Sequence, residues 1–125
     1  KIDHITDSRI NNAVEYDKQL SNIPQITIPN RSTFVKQVYH IYVVRAKRRN
    51  ELKKYLNHNG IDAKVHYPIP MHLQPAAKQY GYKMGNFPVC ETVCDQVISL
   101  PVHEFITNEQ IDYVVSKIRD FYAQS

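Results

Sequence analysis

The segment 106–122 places the tightest constraint on the fold. Thr107 and Gln110 stand at the spacing of a capping box, and Ile106 and Ile111 at that of a hydrophobic staple. Ile111, Val114, Val115, Ile118, Phe121 and Tyr122 then recur at helical intervals. A helix with so wide an apolar stripe is stable only against another apolar surface. The rest of the 125-residue chain has to provide that surface. One domain is the natural prior at this length, burying roughly two-thirds of its unfolded surface. Hydrophobic residues make up 42% and charged residues 22%, which argues against disorder. A deep cofactor pocket would be hard to fit in such a core.

Upstream, 7–20 reads as a polar helix with a thin apolar stripe of Ile10, Ala13, Val14 and Leu20. Pro24 and Pro29 bracket an extended segment with Ile26 and Ile28 on one side. The first strong strand is 38–44, apolar on both faces and so expected in the sheet interior. A helix follows over 49–59, with Leu52, Tyr55 and Leu56 on one face and Gly60 at a left-handed end. In a second strand, 61–67, Ile61, Ala63, Val65 and Tyr67 alternate with Asp62, Lys64 and His66. His66 therefore falls on the polar face, and Pro68 and Pro70 stop the strand. A short helix starts near Pro75 and closes at Gly81. Asn86 is placed to cap the next helix, with Pro88 in its first turn. Val89, Cys90, Val93, Cys94 and Val97 then form a wide stripe expected to be buried, shading into a third strand stopped by Pro101. The order is a helix and then β-α-β-α-α-β-α, a small sheet with helices packed on it. A thin sheet covered on one face would leave a surface wanting a partner.

The net charge is +4, and basic residues cluster at 45–49 and at Lys53 and Lys54. Such a patch could meet the phosphates of a nucleotide or RNA, but a solvated helix start is the commoner meaning of a charge run. The two cysteines, Cys90 and Cys94, are one helical turn apart and are read as small core residues. No signal peptide or long apolar run is visible, which points to a cytoplasmic protein with no membrane partner. The chain begins with lysine, as a fragment would.

The most unusual local feature is His66-Tyr67-Pro68-Ile69-Pro70-Met71-His72, two imidazoles and a phenol on a proline-stiffened strand exit. It reads either as substrate contact at a cleft edge or as two hydrogen-bonded structural histidines. A zinc site of His66, His72 and His103 fits no ligand spacing. Neither a Gly-rich phosphate loop nor a nucleophile elbow occurs. Tyr39 and Tyr42 beside basic residues suggest base stacking, but their odd separation puts them on opposite faces.

The order of these motifs resembles the DegT/DnrJ/EryC1/StrS aminotransferases. The likeness is carried by 40–44, by His58-Asn59-Gly60-Ile61, by 66–76, and by Tyr80-Gly81-Tyr82 and Phe87-Pro88. Ser99-Leu100-Pro101, the helix start 107–111, and Arg9, Ala13, Tyr16 and Leu20 complete it. The resemblance implies the C-terminal small domain of a fold-type-I pyridoxal-phosphate enzyme: an α/β (α+β) domain with a mostly antiparallel sheet. Residues 1–30 would be an entering helix and extended linker, and 31–125 the small domain proper. It implies a homodimer that moves an amino group, commonly from glutamate, to a keto group on a nucleotide-linked sugar, in cell-surface polysaccharide or glycan biosynthesis. The Schiff-base lysine would lie in the large domain, outside this chain. Lys36, Lys47 and Lys64 are not promoted to that role, so the chain alone is expected to be inactive and to hold no cofactor. Residues matching the active-site mouth are His66, Tyr67 and His72, as substrate contacts. Arg45 or Arg48 would meet a diphosphate. Arg49-Asn50 stands where the family often has Arg-Asp, which puts an ion pair there in doubt. A dehydratase relative, a basic RNA- or nucleotide-binding module and a ligand-free interaction domain are the alternatives.

Overall fold

A computed structural model describes residues 1–124. Helix α1 spans Ile2–Leu20, β1 Ile26–Thr27, β2 Tyr42–Ala46 and α2 Arg49–His58. Two 3₁₀ turns, Met71–Leu73 and Pro75–Tyr80, lead to α3 (Pro88–Gln96), β3 (Val97–Leu100) and α4 (Asn108–Ala123). The strands form one antiparallel sheet in the order β1-β2-β3. As expected, the most apolar strand is central. The sheet is antiparallel throughout, in keeping with the fold class inferred from the sequence.

Alternation sorts the sheet into two faces. Tyr42 and Val44 stand opposite Leu100 and Ile98, and all four are buried. They meet Ala13, Tyr16 and Leu20 of α1, Leu52 and Leu56 of α2, and the stripe of α4 in a single core. The other face carries Val43 opposite Ser99 and Arg45 opposite Val97. The capping box of α4 is made as its sequence requires: Gln110 N donates to Thr107 Oγ1 (3.3 Å) and Thr107 N to Gln110 Oε1 (3.0 Å). Gly60 and Gly81 both take the left-handed conformation, at φ 76° and 72°.

Four local expectations are corrected. The first strand begins at Tyr42 rather than 38, because Tyr39 has a left-handed backbone (φ 48°) that no strand accommodates. The strand expected over 61–67 shrinks to a single bridge, Lys64 with Ser99. Its first half is bent by Ala63 N, which donates to Ile61 O (2.8 Å) and Asn57 Oδ1 (3.0 Å). Asn86 does not cap α3. Phe87 occupies that position, and Asn86 Oδ1 accepts instead from Lys83 N (2.8 Å). Finally, the stripe of α3 is not buried: Val89 is 77% exposed, Cys90 is exposed and Cys94 half-buried. Helical spacing marks an apolar face, but only a neighbouring element can cover it, and α3 lies on the sheet by one side alone.

Tyr16 stacks on Tyr42 with centroids 4.8 Å apart, and its fully buried hydroxyl has no hydrogen-bond partner among the described residues. Burial pushes that phenol well above the ordinary tyrosine range. An unmade buried hydrogen bond is a cost, so Tyr16→Phe should raise the unfolding free energy by about 1 kcal/mol. Thermal unfolding measures this directly; a lower midpoint would show that the hydroxyl has a partner.

Candidate functional site

A cleft of about 720 Å³ runs between the 60–66 segment, the exit of β3 and the first half of α4, with Arg9 of α1 at its rim. Arg9 Nη1 donates to the carbonyls of Tyr39 and His40, and Nη2 to Glu104 (each 3.4 Å). The Glu104 carboxyl is held below its usual range, first by its own backbone N–H and then, against the opposing effect of burial, by Arg9.

His66 lines this cleft. Its Nδ1 lies 2.9 Å from Ser99 Oγ, and Ser99 is only 5% exposed. Ser99 is pinned in turn, because its N–H and C=O both pair with Lys64 (2.8 and 3.1 Å). His66 is half-buried rather than solvated, and Ile61, Asp62 and Lys64 line the same cleft, so the strict alternation expected of a strand is not kept here. Tyr67 follows across a cis peptide bond and points outward, 73% exposed.

His72 sits elsewhere. Its Nε2 is 2.9 Å from Glu91 Oε1, and its ring rests 4.7 Å from that of Phe87. Glu91 also accepts from the N–H groups of Gly85 (2.9 Å) and Phe87 (3.3 Å), so one carboxylate gathers the 72–87 loop at the start of α3. Burial pushes the Glu91 carboxyl up, but those two N–H groups and His72 outweigh it and hold it below its usual range. A depressed carboxylate stabilises the fold above its unfolded value of about 4.3, and the gain is lost as pH falls through the folded value. The stability gap between wild type and Glu91→Gln should therefore be widest near neutrality and close below about pH 4. Urea titrations across that range test it, and a gap independent of pH counts against the arrangement.

Arg45 and Arg48 do not join His66 in the cleft. Arg45 is exposed on the sheet face that carries Ser99, two positions along. Arg48 starts α2, pairs with Glu51, and stacks 4.9 Å over the Phe121 ring on the α4 side. Arg49 is buried, and among the described residues it has no carboxylate partner. Its Nε donates to Asn50 Oδ1 (2.8 Å) and its Nη1 to Val97 O (2.7 Å), so the Asn at 50 gives a neutral contact in place of an ion pair. Tyr39 and Tyr42 are both buried, which removes the stacking platform that an RNA-binding sheet needs. Among the described residues, no group of three or more His, Cys, Asp or Glu is placed to hold a metal, and no helix is long and apolar enough to cross a membrane.

Nor do the cleft residues make a pyridoxal-phosphate site. Its lysine, Lys64, is exposed and paired to Asp62 at 2.8 Å. Ser99 and Glu91 were the residues that pattern reading passed over. The bridge pairing Ser99 with Lys64 could have flagged the first, but it is not visible without the fold.

The fold recurs in solved structures. The chain superposes on the crystal structure of Streptomyces venezuelae DesV with a TM-score of 0.90 at 34% identity, covering 95% of this chain and 32% of that one. It is 35% identical over 109 residues to the dTDP-3-amino-3,4,6-trideoxy-alpha-D-glucose transaminase of Streptomyces venezuelae, covering 87% of this chain and 29% of that protein. It is 32% identical over 122 residues to the erythromycin biosynthesis sensory transduction protein EryC1 of Saccharopolyspora erythraea, covering 95% and 33% respectively. The chain thus spans about a third of the length of the relatives it matches. The profile of the DegT/DnrJ/EryC1/StrS aminotransferases matches residues 1–119, and the chain belongs to that family.

Proposed function

We propose that this chain is the C-terminal small domain of a pyridoxal-phosphate-dependent aminotransferase that transfers an amino group, from glutamate, to a keto group on a nucleotide-linked sugar for glycan or polysaccharide biosynthesis. The observation that carries the reading is the match to the aminotransferase family over nearly the whole chain, together with a TM-score of 0.90 to DesV. Three of the relatives are named as transaminases of dTDP-linked sugars. The cofactor, when bound, supplies the electron sink that lets an amino group be stored between half-reactions. In this reading its lysine and phosphate contacts come from a large domain outside this chain, and the complete protein is a cytoplasmic homodimer.

The chain's own share of the work is to form one wall of the substrate site. His66 offers a ring nitrogen at the cleft, Tyr67 an outward phenol beside it, and Arg45 a cation for a diphosphate on the neighbouring sheet face. His72 supports this wall through Glu91 and Phe87, a structural part that suits its burial better than direct substrate contact.

Joined to the large domain, the chain should support glutamate-dependent amination of a nucleotide-linked keto sugar. His66→Ala should then lower kcat/KM for the sugar by about tenfold to a hundredfold, the size of one hydrogen bond to a charged group. Unchanged turnover in His66→Ala would remove His66 from the site. Trapping of the cofactor on Lys64 of the isolated chain by borohydride would overturn the domain assignment.

A further inference from the structure

Ser99 is 33 residues from His66 in sequence, yet its hydroxyl lies 2.9 Å from the imidazole Nδ1. The side chain is enclosed, and its backbone is clamped on both sides of the Lys64 bridge, so Oγ has little freedom to move. A serine hydroxyl can donate one hydrogen and can also accept. If His66 Nδ1 carried the proton and donated to Ser99, the serine O–H would need a second acceptor. Among the described residues Ser99 Oγ has only His66 as a partner. A buried donor without an acceptor is the costlier arrangement.

We infer that Ser99 is a positioning residue: its O–H donates to His66 Nδ1, fixes the neutral ring in the Nε2–H tautomer, and so presents Nε2–H as a donor to an acceptor oxygen of the substrate. The tautomer of a histidine is set by the bond its other nitrogen makes. The oxygen it would meet is a hydroxyl, carbonyl or phosphate oxygen of the sugar nucleotide, all of which accept. This rests on the substrate-facing role proposed for His66, and it adds which nitrogen faces the ligand and what holds it there. His66 then acts as a hydrogen-bond donor to substrate and not as a proton-accepting base.

Two measurements test it. Long-range ¹H–¹⁵N correlation spectra of the chain, recorded well above the ordinary histidine pKa of about 6.5, should show His66 predominantly as the Nε2–H form. Ser99→Ala should give a mixture of tautomers, and Ser99→Thr, which keeps the hydroxyl, should restore the wild-type pattern. A predominant Nδ1–H form in the wild type overturns the inference without any variant being needed, and so does an Nε2–H form that survives Ser99→Ala. In the enzyme completed with the large domain, Ser99→Ala should lower kcat/KM for the sugar by about threefold to tenfold and leave the glutamate half-reaction unchanged. Equal slowing of both half-reactions would mean general damage and overturns the positioning role. If His66→Ala leaves sugar turnover intact, the site reading fails along with the donor role, even where the spectra show Ser99 holding the ring. If His66→Ala slows turnover but Ser99→Ala changes neither tautomer nor rate, only the Ser99 inference is lost.

Discussion

Asp17→Ala is expected to lower the unfolding free energy by about 2–3 kcal/mol, by breaking a network between α1, the loop after β1 and β2. Asp17 Oδ1 accepts from Tyr42 Oη at 2.7 Å, and its carboxylate takes a two-pronged contact from Arg31, Nε at 3.0 Å and Nη2 at 2.9 Å. Arg31 in turn lies over the rings of Tyr39 and Tyr42 at 5.3 and 5.5 Å. Removing the carboxylate strands the Tyr42 hydroxyl, whose phenol is already pushed far up by burial first and by the Asp17 contact second. That orphaned group accounts for most of the loss. The ion pair itself is about a quarter exposed, so its charge term is discounted for solvent screening. Asp17→Asn keeps an acceptor for Tyr42 and should recover about half of the deficit. A change below about 0.5 kcal/mol in urea unfolding, the range of ordinary surface substitutions, would show that the network does not tie 28–42 to α1.

Ile118→Ala should cost about 2–5 kcal/mol. Ile118 is completely buried at the middle of the α4 stripe, where α4 meets both α1 and α2. The loss combines the transfer free energy of the deleted methyl and methylene groups with a cavity that the facing helices α1 and α2 cannot collapse to fill. Domains of this size are stable by about 5–15 kcal/mol, so this one change removes a large share of the total. The exposed Lys54→Ala gives the contrast, expected within about 0.5 kcal/mol of wild type. Denaturant unfolding of the two variants side by side checks the difference, and a loss under about 1 kcal/mol at Ile118 would mean that the core repacks around the gap.

Much of the architecture was legible before any coordinates. The α4 start, the left-handed ends at Gly60 and Gly81, the Pro101 stop and the central strand all follow from interactions within a few residues of one another. The resemblance read from the ordered motifs agrees with the family match over 1–119. His66 could be singled out from its place in the proline-stiffened motif 66–72.

The remainder depended on which surfaces meet. The 61–67 segment has the composition of a strand, but Asn57 and Ile61 compete for the Ala63 N–H and leave only the Lys64–Ser99 bridge. The α3 stripe has the period of a buried face, yet burial requires a neighbour that no pattern specifies. His66 and His72 look equivalent in the motif, and the fold gives one to a cleft with Ser99 and the other to Glu91.

By itself, then, the sequence determined where α4 begins and where α1 and α2 end, which strand lies innermost and which family the chain resembles, because each of those rests on short-range sterics, capping or the order of motifs. Only the tertiary structure decided that Ser99 meets His66, that Asp17 joins Arg31 to Tyr42, and which apolar face stays open. Those contacts join residues 14 to 33 positions apart, and their geometry is set by sheet register and helix packing, which local chemistry leaves undetermined.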